Sequence, residues 1–359
     1  MTNNKLLLFR LAELMLEQEQ HVLLVDNLFD DEQIGDNVKS IQIDSSYQQM
    51  ILEGVLTESV QNEMLYVSFT IEGYFHFILG EVIYNQSSNK ESSYLNNLLY
   101  HNRLNGIKEG VEQCLIIEVN QGRLERLVEL IDEGGEAEKV ARFPLVHAFM
   151  KNNVEDVFQT LMENPSIYDW NVIKHVRGIL IENQKQLVVE KLDGIIKESI
   201  QLKNTIDDLL LCDNKLEFHE ALTLISFYTE LNALDQAKIY FTQFIEEAEK
   251  RNYRDSLVEG LEKLGDSEYK RSGQDGYKAA MEALSRAAEI RESETLIQKD
   301  KLKNTYRLLG FAYLSLGLQV VKSNEYFEKS KAIMLEESSD SVELAEINLY
   351  IGLVNFWRG

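Results

Sequence analysis

LLGFAYLSLGLQVVKSNEYFEKSKAI, residues 308–333, carries the pattern that decides the fold. Leu309-Gly310, Ala312, Tyr313 and Gly317 fall in one helical stretch, and Ser323, Phe327 and Ser330 follow at i, i+4 and i+7 in a second. Two helices pack closely in this way: the glycine lets the backbones approach, the large residue fills the gap, and the last small residue admits the next helix. Upstream, LGDSEYKRSG (264–273) and YKAAMEALSRAAEI (277–290) repeat the series with Leu264-Gly265, Ala280, Leu284 and Ala287. Further upstream, LISFYTELNALDQAKIYFTQFIEEA (224–248) gives Tyr228, Ala237, Phe241 and Phe244, with Ile225 in the glycine's place. Downstream, LYIGLVNFWRG supplies Gly352. The equivalent positions 225, 265, 310 and 352 recur every forty-odd residues.

That series of glycine, tyrosine, alanine, aromatic and alanine resembles the tetratricopeptide (TPR) repeat, whose short form is about 34 residues. The resemblance covers the last third of the chain and implies an all-α, TPR-like α-solenoid, a right-handed superhelix of helical hairpins. In that family the first helix of each repeat lines the concave face, at fixed offsets from the glycine position. Carrying those offsets over gives His219, Leu222, Ser226 and Glu230, then Glu259, Glu262, Asp266, Tyr269 and Lys270, then Asn304, Arg307, Phe311 and Ser315. From these, the resemblance nominates His219, Ser226, Glu230, Glu262, Tyr269, Lys270, Asn304, Arg307 and Phe311 as ligand-binding. The mixture of charged, amide and aromatic groups suits a protein or peptide partner.

Composition sets outer limits. The chain has 359 residues, only two prolines (Pro144 and Pro165), and a net charge of −24 from 60 acids against 36 bases. That balance argues against a nucleic-acid partner, which needs concentrated Lys and Arg, and against anionic membrane surfaces. Cys114 and Cys212 stand far apart with no CxxC, which favours a reducing, cytoplasmic setting with both as buried small hydrophobes. The first residues lack a basic n-region and a cleavage site. The most apolar window, Leu65 to Tyr84, holds Glu72, His76 and Glu81, which excludes a transmembrane helix.

Before the repeats, the leucines at 7, 11, 14 and 16 predict a helix over residues 5–29. A second helix is expected over 46–54, then a turn over 60–63. Alternation of Leu65, Val67 and Phe69 predicts a strand, the only one, within about 64–70. A helix over 73–85 follows, with Tyr74, Phe75, Phe77, Ile78 and Val82 expected in its core. This order is winged-helix-like. FTIEGYFHFILGEVI, through Phe69, Glu72, Tyr74 and Phe75, resembles the end of the winged-helix segment of STAND-class signalling NTPases, which lies between an ATPase core and a repeat sensor. The chain departs from that family in having nothing like the nucleotide-binding core. Residues 87–97, rich in Ser and Asn, mark a boundary, and helical periodicity resumes beyond them. The expected division is a winged-helix-like module over 1–86, degenerate helical hairpins over 98–211, and TPR-like repeats over 212–359, the last incomplete.

Motifs for chemistry are lacking. There is no GxxxxGK[ST], no GxGxxG after a strand, no GxSxG and no HExxH. The six histidines never lie close in sequence, so no metal site is nominated, and paired acids such as Glu246-Glu247 read as solvated faces. No catalytic residue and no cofactor is expected. The leading expectation is a non-catalytic interaction protein, the sensing part of a larger bacterial STAND-type signalling or defence protein. The alternative is a stand-alone peptide-responsive regulator resembling the TPR pheromone sensors of Gram-positive bacteria; a divergent enzyme domain in residues 1–86 ranks last. AEINLYIGLVNFWRG reads as a first helix without its partner, so Leu353, Phe356 and Trp357 are expected to favour self-association through this helix or further sequence after it.

Overall fold

Helical periodicity interrupted by only two prolines gives a chain that is helical almost throughout. The structure, a computed structural model, describes residues 3–40, 42, 45–87, 93–163, 167–293, 299–317, 320–336 and 341–358. Among them are twenty helices and three short strands. The chain divides into two compact units, Met1–Ile195 and Ile196–Gly359.

The first unit opens with α1 (Asn3–Gln18), which buries Leu7, Leu11, Ala12 and Met15 completely. The helix predicted over 5–29 stops at Gln18. Glu19 turns to a positive φ of 54°, and Leu23–Leu24 become β1 instead. The reason is non-local: Leu23 and Leu24 pair antiparallel with Val67 and Tyr66 of a strand forty residues on. Two short helices follow, α2 (Val25–Leu28) and α3 (Gly35–Lys39), then α4 (Ser46–Leu52), whose first turn is capped by the Ser45 hydroxyl accepting from the Gln48 amide at 3.3 Å.

The expectation of one strand is corrected here. β2 (Leu56–Gln61) and β3 (Met64–Phe69) form a hairpin, and the sheet order is β1-β3-β2. Asn62 and Glu63 link them with φ of 51° and 66°, the two positive values that a tight two-residue hairpin turn requires. β2 escaped the alternation test because it is an edge strand. Only Leu56 is buried, and the five residues after it are exposed, so no inner face existed to impose a period of two.

Next, α5 (Glu72–Ser87) buries Phe75, Ile78, Leu79, Val82 and Ile83. Tyr74 and Phe77, expected in the core, are 41% and 45% exposed, because a helix that turns 75, 78, 79 and 82 inward turns 74 and 77 outward. After α6 (Ser93–His101), α7 (Ile107–Asn120) crosses α5 closely through two glycines. A Cβ on Gly80 would lie 2.4 Å from the Gln113 Cβ, and one on Gly110 would lie 2.7 Å from Leu79 Cδ2. Gly80→Val is therefore expected to destabilise this unit by about 2–3 kcal/mol through overpacking, read as a lower midpoint in chemical denaturation; an unchanged midpoint would place the crossing elsewhere. The unit continues with α8 (Glu125–Glu133), α9 (Gly135–Lys151), α10 (Val154–Leu161), α11 (Ile167–Glu182) and α12 (Gln186–Glu198). Asn153 caps α10, and Trp170 is fully buried with its ring 6.1 Å from that of Phe158.

In the second unit α13 (Ile200–Leu211) precedes three helical hairpins: α14 (Lys215–Glu230) with α15 (Leu234–Lys250), α16 (Arg254–Arg271) with α17 (Gly273–Glu292), and α18 (Lys299–Ser315) with α19 (Val320–Glu336). Another helix, α20 (Ser341–Arg358), follows them. The small-large-small residues read from the sequence do meet between helices. Ala280, Leu284, Ala287, Ser323, Phe327 and Ser330 are all fully buried. A Cβ on Gly265 would lie 2.5 Å from Leu284 Cγ, and one on Gly310 would lie 2.5 Å from Phe327 Cε1. In the first hairpin Ile225, Ala237, Phe241 and Phe244 are likewise buried, and the Phe218 ring stacks on Phe244 at 4.6 Å. The unit is thus a TPR-like stack of hairpins within an all-α chain. Of the two cysteines, neither in a disulfide, Cys114 is buried and its thiol is pushed up to about 12 by burial, whereas Cys212 is partly exposed.

Candidate functional site

The first helices α14, α16 and α18 carry the nominated residues, and most of their side chains engage residues of neighbouring helices. His219 on α14 reaches α16 twice, with Nδ1 3.2 Å from Ser256 Oγ and Nε2 3.1 Å from a Glu259 carboxylate oxygen. Ser226 donates to the carbonyl of Leu222 on its own helix at 2.7 Å, and Glu230 is exposed. Glu262 on α16 receives both forks of Arg291, Nε and Nη2, at 2.7 Å each, and also the hydroxyl of Thr305 from α18. Lys270 pairs with Asp266 one turn away at 2.8 Å.

Aromatic groups form the other half of the face. The Tyr269 ring lies 5.4 Å from that of Tyr277 and 6.4 Å from that of Phe311, and Ser315 donates to the Tyr269 hydroxyl at 3.4 Å. Phe311 in turn stands edge-on to Tyr350 of α20 at 4.6 Å and to Phe327 at 5.2 Å. Arg307 places Nη1 3.6 Å from Glu346, and its Nε is buried without a hydrogen-bond partner. Asn304 is exposed.

Between α16 and α18 lies an open cleft of about 290 Å³, lined by Glu259, Glu262, Lys263, Asp266, Lys301, Asn304, Thr305 and Leu308. It gathers two of the nominated residues, Glu262 and Asn304. Lys263, Lys301, Thr305 and Leu308 were not nominated, and neither was Arg291, which is 3% exposed and arrives from a second helix. The first-helix offsets find only residues one turn apart on a single stripe, so the residues at the stripe's edges and those reaching in from α17 leave no sequence signal. Its three carboxylates are all paired, Glu259 with Lys301, Glu262 with Arg291 and Asp266 with Lys270, so the cleft presents charges of both signs in alternation.

Comparison with known proteins adds little at the level of sequence. No protein-family model matches the chain, and no curated protein matches it. Among solved structures the chain is similar to a Signal Transduction ATPase with Numerous Domains (STAND) protein with a tetratricopeptide repeat sensor from Pyrococcus horikoshii, at 13% identity and a TM-score of 0.39. The match covers 99% of this chain and 54% of that one, so the chain spans about half the length of that protein.

Within the described residues no helix is long and apolar enough to cross a membrane, and no group of three or more His, Cys, Asp or Glu side chains is placed to hold a metal ion. The face offers carboxylates and amides for hydrogen bonds and stacked rings for apolar or cationic contacts.

Proposed function

We propose that the chain is a non-catalytic recognition protein whose second unit holds a basic protein or peptide segment along its first helices. The observation that carries this reading is the polar cleft between α16 and α18, continued by the rings of Tyr269 and Phe311, on a chain whose net charge of −24 favours a basic partner. The nominated residues His219, Ser226, Glu230, Glu262, Tyr269, Lys270, Asn304, Arg307 and Phe311 divide into two roles. Glu262, His219, Tyr269, Arg307 and Phe311 hold neighbouring helices in place, and Ser226, Glu230, Lys270 and Asn304 serve for contact.

For the first unit we read residues 1–86 as a winged-helix-like module, supported by the helix order and by a three-stranded sheet in which the hairpin follows α4. A nucleic-acid role for it is disfavoured, because no lysine or arginine occurs between Lys39 and Lys90. The finer assignment, the sensing portion of a larger cytoplasmic STAND-type protein, rests on the likeness of FTIEGYFHFILGEVI, whose Phe69 ring packs 5.2 Å from Phe75. A native gene encoding a P-loop ATPase core ahead of this chain supports that assignment, and one without it removes it.

The cleft is tested by display selection of peptides on the full chain. Lysine- and arginine-rich sequences are expected to be enriched, and Asp266→Lys is expected to weaken the selected peptides by about tenfold or more, the effect of about 1.4 kcal/mol, with an unchanged melting curve. Peptides bound equally by wild type and variant would remove the cleft from the site.

A further inference from the structure

In the second unit each glycine socket is filled by one recurring shape. Leu284 stands over Gly265 and Phe327 over Gly310, flanked by Ala280 and Ala287 in one case and by Ser323 and Ser330 in the other. The filling helix runs antiparallel to the glycine's own: Ser323 donates to the Gly310 carbonyl at 2.8 Å, while Ser330, further along α19, donates to the Lys303 carbonyl, earlier on α18, at 3.0 Å.

On α20 the socket recurs without a filler among the described residues, none of which lies within 4 Å of where a Cβ on Gly352 would stand. The same exposed face carries Ala345, Leu349 and Gly352, a small-large-small triplet at the i, i+4, i+7 spacing of the fillers themselves. Val342, Leu349 and Phe356 are 70%, 61% and 81% exposed on it. One helix face is therefore both socket and filler. We infer that this face pairs with the same face of a second copy of the chain, the two α20 helices antiparallel about a twofold axis. Leu349 of each copy then seats over Gly352 of the other, and the same register sets Phe356 of each opposite Ala345 of the other.

Charge favours the same occupant. Glu343 and Glu346 reach toward Lys303 and Arg307 at 3.2 and 3.6 Å, so the seam formed by Val342, Ala345, Leu349, Gly352 and Phe356 carries no ionisable group. On a chain of net charge −24, that neutral strip is where a second copy meets least repulsion. The pairing is independent of what the first-helix face binds.

Sedimentation velocity on the 359-residue chain tests this, from low- to high-micromolar concentration. A concentration-dependent dimer is expected, weakened by about tenfold or more in Leu349→Glu, with unchanged helicity. Register is read by oxidative cross-linking of tagged heterodimers in a Cys212→Ser background: Leu349→Cys with Gly352→Cys should link readily, and Val342→Cys with Gly352→Cys, on the same face but out of register, poorly. A monomer at every concentration, a dimer indifferent to Leu349→Glu, or the reverse order of cross-linking overturns the pairing.

Discussion

Gly310→Trp is expected to unfold the hairpin of α18 and α19 while the first unit keeps its own fold. Even a Cβ at this position would lie 2.5 Å, 2.6 Å and 2.9 Å from three atoms of the Phe327 ring. That ring is fully buried and has nowhere to retreat, with Phe311 edge-on at 5.2 Å on one side and Tyr350 stacked at 5.8 Å on the other. Overpacking costs about 1–3 kcal/mol for a few added methylenes and more for an indole in a socket shaped for hydrogen. In a repeat array each hairpin leans chiefly on its neighbours, so the damage should spread to α16, α17 and α20 before it spreads further. Hydrogen exchange read by mass spectrometry should show lost protection over residues 299–336 and native protection over 3–87. Gly352→Ala is the control. Its Cβ meets no described residue within 4 Å, and alanine is about 1 kcal/mol better than glycine inside a helix, so it should leave the hairpins intact. Equal behaviour of the two variants would contradict the register.

Arg291→Ala is the second large effect, expected to destabilise the second unit by about 3 kcal/mol. Arg291 is 3% exposed, and its guanidinium forks onto the Glu262 carboxylate with two bonds of 2.7 Å. Removing it strands a carboxylate whose remaining donor among the described residues is the Thr305 hydroxyl. Glu262 is itself only 19% exposed at the side chain, so water recovers part of the loss but not all of it. Because Glu262 lies on α16, Arg291 on α17 and Thr305 on α18, the pair ties three consecutive helices, and its loss should loosen the cleft as well as the core. Glu262→Gln keeps one acceptor oxygen but turns an NH2 toward one arm of the guanidinium and leaves that buried cation without its counter-charge, so it should cost about 1.5–3 kcal/mol. Combining Arg291→Met with Glu262→Gln should recover part of the loss, since neither then leaves an unpaired charge. Thermal melting of the three variants decides it: similar midpoints for all would mean that the ion pair is a surface contact.

Much of the fold was legible because its determinants are local in sequence. Gly310 with Phe327, and Gly265 with Leu284, announce themselves by residue size at helical spacing, and the structure places each pair in contact. The strand predicted within about 64–70 is present as β3, Met64–Phe69. The candidate face was only half legible. The offsets found Glu262 and Asn304 but not Arg291, Lys301 or Leu308, since a side chain's partner on the next helix depends on how the two helices are rotated against each other.

The sequence by itself determined the helical class, the register of small and large residues within each hairpin, and the acidic balance. Each of these is written in one helix's own periodicity or in composition. The tertiary structure alone decided that the helix predicted over 5–29 ends at Gln18 and that residues 56–61 form a strand. It alone decided, too, that Tyr74 and Phe77 face outward and that most of the nominated face ties helix to helix. In every such case the deciding contact joins residues distant in the chain. Leu23 reaches Val67, and an edge strand buries only Leu56. Arg291 reaches back to Glu262, and no local pattern encodes which of several carboxylates a buried guanidinium will find.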